Sequence, residues 1–552
     1  MHERPPLTST LVSLVALLAG AFALSACTAR AQQTAPPGSA AAAAPVAGRP
    51  VGTEKPTLVV LLTVDQLGSD YFERFGANLT GGLARLRDEG ATWMRARHDH
   101  AISETAPGHA STLSGRFPVS TGIASNSQGV NTSEAPLLGS TELGASPFRF
   151  RGTTLYDWMR AADPTTRALS VSRKDRGAIL PIGRAKTDIY WFASNGTFTT
   201  STYYRTTLPA WVRAFNDRRL PAQYAGKAWV PLLPADRYAE LDANFLEGNG
   251  RDYLFPHRMP EDTAVAGSAI QAFPWIDSLT LAFALDGVRA LELGADASRT
   301  DLLAVSLSAT DAIGHRYGPD SKEIHDHLLH LDRYLDIFLR ELIALRGEGR
   351  VVIALTADHG IAPIAEFRSP YYRNEGAQRV DTRPVWRLVY DAMRVARVDT
   401  AAVTNDDGFR VRDPEAFRRA GVSADEFAAL WVQELRKLNG VARADLLTDL
   451  ARADTVRDDI ARRWLHTHRV DGPVRAVLTL EPFGYAYNTN YATHGQPYDY
   501  DTQVPVIFWG AGIARGRRAG EARVVDIGPT LAHWLDVIPL ERLDGHALSL
   551  RP

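Results

Sequence analysis

The chain is 552 residues long, 45% apolar and 22% charged, the make-up of an ordinary folded protein built as several domains or as one large α/β domain with insertions. Its formal net charge of −2 excludes a bulk electrostatic drive towards nucleic acid or an anionic membrane. Lysine is scarce, six against 55 arginines, so a lysine inside a motif stands out.

The N-terminus, MHERPPLTSTLVSLVALLAGAFALSAC, sets an early arginine before an apolar run from Leu11 to Leu24, followed by small residues. That is the layout of a secretory signal, and the run is short and poorly flanked for a membrane span. Leu24-Ser25-Ala26-Cys27 resembles a bacterial lipoprotein box, so residues 1–27 are expected to be a signal peptide with Cys27 as the lipidated residue. Cys27 is the only cysteine, which suits export into an oxidising compartment. The expected location is the periplasm, with the lipid on Cys27 as the one membrane tether to the outer membrane. The alternative is a plain cleaved signal ending near Ala29–Ala31 and a soluble periplasmic or secreted protein. Residues 28–56 are Pro/Ala/Gly-rich and read as a disordered linker.

The ordered domain is expected over 57–552. TLVVLLTVDQ from Thr57 is a continuous apolar run closing on an acid, the pattern of a buried parallel strand. Similar runs are RALSVS (Arg167 to Ser172), DLLAVSLSATD (Asp301 to Asp311), RVVIALTADHG (Arg350 to Gly360) and VPVIFWG (Val504 to Gly510). Helical spacing of apolar residues marks Ser278 to Leu293, Lys322 to Leu345 and Asp526 to Leu535. Strands alternating with helices predict a mostly parallel central sheet covered on both faces. Two stretches, about 190–261 and 370–480, break the rhythm and read as insertions that cap the core.

Ligands of open α/β sheets bind beyond the carboxyl ends of the strands, and three of these runs end there in metal-ligand types. The first ends in Asp65, the second in Asp311 with His315 four residues on, the third in Asp358 and His359. His494 precedes the last run. Singly, a strand-end aspartate is most often a cap, and a lone histidine a satisfied polar group. Together, and with Thr105, they suit two borderline-hard ions such as zinc. The histidines of HDH (98–100), HDHLLH (325–330) and HTH (466–468) lack that context and are assigned to the surface or to interfaces.

The motifs VDQ, TAPGHAS, GIASN, RKDRGAILPIGRAKTDIYWF, DAIGH, TADHG and THGQPYDYDTQVPVIFWG together resemble the alkaline phosphatase superfamily. They are most similar to its bacterial monomeric phosphatases with a threonine nucleophile. The resemblance implies an alkaline phosphatase-like fold, a monomer and two zinc ions. Asp311, His315 and His494 would hold one ion; Asp65, Asp358, His359 and the Thr105 oxygen would hold the other. A structural calcium ion in the insertions is left open.

Thr105 has a simpler reading as a helix N-cap. A bound divalent ion would make its alkoxide accessible, and Pro107 suits a first helical turn whose amides face an anion. With the ligand set counted, Thr105 is read as the nucleophile and His109 as structural. A monoester dianion needs a cationic partner for its extra oxygen. By the resemblance, Lys174 and Arg176 form the Lys-x-Arg pair that binds phosphate in the monoesterases, and Asn126 matches a phosphate-binding asparagine. The bland readings are a solvated charged turn and a turn residue. The serine-type enzymes' arginine and magnesium-site pattern is missing, which argues against a third catalytic metal. The expected function is an exported, broad-specificity hydrolase of small phosphate monoesters acting through a phosphothreonine. The rivals are a phosphodiesterase or nucleotide pyrophosphatase of the same superfamily and a non-catalytic metal-binding lipoprotein. Without a cysteine or serine in a formylglycine-type motif at position 105, a sulfatase is disfavoured.

Overall fold

The apolar run after Thr57 forms strand β1 (Leu58–Val64), with all seven residues buried. Burial on both faces explains why it reads as unbroken Leu and Val instead of an alternation. The structure, a computed structural model, describes residues 48–49, 54–487 and 492–551. The signal segment, Cys27 and most of the linker lie outside the described residues.

β1 pairs in parallel with β6 (Asp301–Leu307) on one side and β7 (Val351–Thr356) on the other. β3 (Ala168–Ser172) and β4 (Asp188–Phe192) extend the parallel set beyond β6. On the far side, β8 (Gln503–Gly510) runs antiparallel to both β7 and β2 (Ala91–Arg97). With the short edge strands β5 (Phe198–Thr199) and β9 (Gly516–Arg517), the sheet has nine strands in the order β9-β2-β8-β7-β1-β6-β3-β4-β5. The expected mostly parallel sheet is present. What the runs of Val and Leu do not reveal is β2, whose ATWMRAR mixes exposed and buried positions near the sheet's edge.

Four helices matter for the site and the sheet's cover: α1 (Thr105–Ser114), α2 (Trp275–Ala290), α3 (Ala309–Tyr317) and α4 (Lys322–Arg346). The expected helix from Ser278 starts three residues earlier, and that from Lys322 runs one residue further. α1 is made mostly of small residues, and all ten of its residues are buried. A Cβ on Gly108 would lie 2.3 Å from the Asp358 carbonyl oxygen, so only glycine lets α1 sit this close to the end of β7.

The stretch expected as an insertion from Tyr190 begins inside the central sheet, because β4 pairs with β3 through Trp191. The central sheet continues through β5, so the boundary is corrected to the residues after Thr199. The aromatic-rich composition up to there is core packing: Phe198 stacks on Phe283 at 4.0 Å. Further along, residues 403–480 build a separate antiparallel sheet of four strands. Trp386, Phe409 and Trp431 pack among its own buried apolar residues.

Candidate functional site

Asp65 follows β1, Asp311 stands in the first turn of α3 directly after β6, and Asp358 and His359 follow β7. Lys174 follows β3. Four neighbouring parallel strands thus deliver their functional side chains at the same carboxyl edge. His494 comes in from the segment before β8.

These side chains converge. Ligand atoms of Asp65, Asp358 and His359 lie within 4.8 Å of one another, as do those of Asp311, His359 and His494. His359 belongs to both groups, and its ring stacks on that of His494 at 3.6 Å. His315, one helical turn beyond Asp311, places its Nε2 3.2 Å from Asp311 Oδ1. Three histidines donate from Nδ1 to a main-chain carbonyl: His315 to Ala492 (2.8 Å), His359 to Gly360 (2.9 Å) and His494 to Ser103 (2.7 Å). Each carbonyl holds the Nδ1 proton, so replacement of the other proton by a metal leaves Nε2 as the nitrogen directed at the carboxylates, the arrangement of metal-ligating imidazoles.

Thr105 is the first residue of α1, and Glu104 in extended backbone is the N-cap, so the simple capping reading fails. The Thr105 hydroxyl lies instead 3.4 Å from His359 Nε2 and 3.2 Å from Lys174 Nζ. Lys174 reaches over the carboxylates, with Nζ 2.6 Å from Asp65 Oδ2 and 2.7 Å from Asp311 Oδ2. Asn126 Oδ1 accepts from the Ala106 amide at 2.9 Å, which sets that side chain at the start of α1. Arg176 is not brought into the cluster: among the described residues its guanidinium meets only Asp175, at 3.6 Å.

Electrostatics fit cations. Burial, and then the neighbouring Asp311 and Asp358, push the Asp65 carboxyl up. Burial would also raise Asp311, but Lys174 and His315 outweigh it and hold it well below the usual range. His494 moves the other way: Asp311 overcomes burial and lifts it to about 9. Asp65 Oδ2 faces Lys174 Nζ at 2.6 Å, but among the described residues the buried Oδ1 accepts no hydrogen bond. A buried carboxylate oxygen without a donor is costly unless a cation faces it. Carboxylates and imidazoles with free Nε2 atoms are also the donors that zinc takes.

Several contributors escape a local reading of the sequence. His109 Nδ1 donates to Thr105 O (2.9 Å) and lies 3.2 Å from Asp358 Oδ2, while its Nε2 is 2.9 Å from Ser306 Oγ. Gln66, at φ +70°, gives its amide to Asp358 Oδ1 (3.0 Å) and its Nε2 to Asp311 Oδ1 (3.1 Å), tying the two groups together. Glu104 accepts from the Asn126 amide at 2.6 Å. A threonine followed four residues later by histidine on one helix was the single legible hint, since i and i+4 share a face.

The surface assignment of the clustered histidines is corrected: His98, His100, His325, His327 and His468 are buried. Distant partners account for three of them. His98 meets Ala357 O at 3.0 Å, His325 meets Glu240 at 3.0 Å, and His327 meets Thr310 Oγ1 at 2.9 Å.

A family model described as type I phosphodiesterase / nucleotide pyrophosphatase matches residues 59–474. The chain belongs to this family. It is similar to the alkaline phosphatase PhoV of Synechococcus elongatus, at 31% identity over 88% of this chain and 91% of that protein. It is 30% identical to the alkaline phosphatase PafA of Elizabethkingia meningoseptica, covering 88% of this chain and 92% of that one. A crystal structure of wild-type alkaline phosphatase PafA superposes with a TM-score of 0.80 at 27% identity, over 90% of this chain and 98% of the other. The resemblance to the alkaline phosphatase superfamily and the fold it implies are both borne out.

Proposed function

We propose that this chain is an exported alkaline phosphatase that hydrolyses small phosphate monoesters through a phosphothreonine at Thr105. The observation that carries the reading is the Thr105 hydroxyl, buried at a helix start, facing His359 and Lys174 beside three buried aspartates. The names of PhoV and PafA support the same activity.

Two zinc ions, one on Asp311, His315 and His494 and one on Asp65, Asp358, His359 and the Thr105 oxygen, would supply Lewis acidity and positive charge to hydroxyl and phosphate. Thr105 Oγ1 attacks phosphorus in line, the P–O bond to the alcohol breaks, and water later cleaves the phosphothreonine to free phosphate. Lys174 Nζ, 3.2 Å from that oxygen, meets the nonbridging oxygens. Asn126, held through Oδ1 by the Ala106 amide, keeps its Nδ2 for the same phosphate. The α1 amides add their dipole. Arg176 joins the phosphate only by swinging from Asp175. His109 and Gln66 hold Asp358 and Asp311 in place.

Acid quenching during turnover of p-nitrophenyl phosphate tests the covalent step. Mass spectrometry should find phosphate on the peptide containing Thr105; phosphate on no residue, or on a different one, refutes it. Broad specificity is consistent with a site built around the phosphoryl group. Export as a lipoprotein rests on the Leu24-Ser25-Ala26-Cys27 sequence. Cys27→Ala should move the protein from the membrane fraction to the soluble fraction, and an unchanged distribution counts against the anchor.

A further inference from the structure

A cavity of about 410 Å³ lies at the seam between the main body and the second sheet. Residues from the 118–151 stretch and Arg184 form one wall; Arg410 and residues from 467–474 form the other. Among the described residues five arginines line it (Arg149, Arg151, Arg184, Arg410 and Arg469), and no aspartate or glutamate does. Two of the five are answered from outside the lining, Arg410 by Asp407 and Arg469 by Asp471, each at 2.8 Å. Arg149 and Arg184 donate only to main-chain carbonyls among the described residues, such as Gly129 O and Phe150 O, each at 3.3 Å. Arg151 is exposed.

Like charges gathered in a recess repel, and removal from water adds to the cost. Burial, followed by the nearby Arg410, pulls the Arg149 guanidinium down. His468 also lines the cavity; it is 6% exposed, and among the described residues its Nε2 has no hydrogen-bond partner, the nearest carboxylate being Asp407 at 3.9 Å. Burial brings this imidazole down to about 4, so it is neutral at ordinary pH and adds a polar atom without adding charge. Planar guanidinium forks suit phosphate oxygens, and an anion would turn the repulsion into charge-assisted hydrogen bonds.

We propose that this cavity is a second anion site, distinct from the catalytic centre, which takes a small, multiply charged phosphate compound. Its occupant bridges the main body and the second sheet. Ala124 and Gln128 also line the cavity, on either side of Asn126, so the site backs onto the loop that carries a phosphate-binding residue of the catalytic centre.

The test is calorimetry on the full, metal-loaded chain carrying Thr105→Ala, with orthophosphate present to saturate the catalytic centre and inorganic tripolyphosphate as the titrant. One binding event per chain is expected, weakened by added salt and, in Arg149→Ala/Arg151→Ala, by at least about tenfold. In an otherwise wild-type chain the same arginine substitutions should leave p-nitrophenyl phosphate turnover unchanged. If the double variant fails to fold, the exposed Arg151→Ala alone should show a smaller loss in the same direction. The absence of any binding event under saturating orthophosphate, or an affinity untouched by the arginine substitutions, overturns the proposal.

Discussion

Replacing Thr105 with alanine should lower turnover of phosphate monoesters by at least about 10⁴-fold, the scale on which removal of a covalent nucleophile acts. Alanine removes Oγ1 and the γ-methyl but no capping bond: Thr105 is not the N-cap of α1, and its helical backbone suits alanine equally well. The fold should therefore survive. Metal content should survive too, because the carboxylates and imidazoles of both ligand groups remain. Thr105→Ser, which restores a hydroxyl, should recover much of the activity. Loss of activity together with loss of metal would assign Thr105 a structural role instead, and near-normal turnover by the alanine variant would rule it out as nucleophile. Steady-state kinetics with elemental analysis on the same samples separates these outcomes.

Lys174→Ala should lower kcat/KM for a phosphate monoester by about 10²- to 10³-fold, the cost of removing one oriented charge from a transition state. A diester carries one fewer charged nonbridging oxygen, so its slow turnover should change by less than about tenfold. The geometry behind this is the position of Nζ, 3.2 Å from Thr105 Oγ1 and on the carboxylates of Asp65 and Asp311. A diesterase would show the opposite pattern: its dominant diester activity would persist in Lys174→Ala, and it would have little monoester activity to lose. Lys174→Arg keeps the charge but brings a planar group in place of a compact one, so partial recovery is expected.

Much of the site was legible because parallel strands buried on both faces must be written in apolar residues, and whatever polar group ends them lies at the ligand-binding edge. Asp65, Asp311, Asp358 and His359 are found this way from β1, β6 and β7. His494 has weaker support, since β8 runs against its neighbours and the residue reaches the cluster from the strand's entry. Gln66, by contrast, stands in the VDQ motif without its role being legible: its job depends on positive φ and on two aspartates hundreds of residues away. The histidines around 98 and 325 misled for the same reason. Their neighbours in sequence are polar, while their partners, Ala357 O and Glu240, come from distant segments. Arg176 shows the reverse, a motif position that the structure leaves turned towards Asp175. The insertion boundary near Tyr190 failed because aromatic residues without periodicity describe an edge of the core as readily as a cap.

The most direct test of the central claim is anomalous diffraction from crystals of active protein, recorded on both sides of the zinc absorption edge. Two zinc peaks per chain are expected, with Asp311, His315 and His494 around one, and Asp65, Asp358, His359 and the Thr105 oxygen around the other. Active crystals with no transition-metal peak among these side chains would contradict the account.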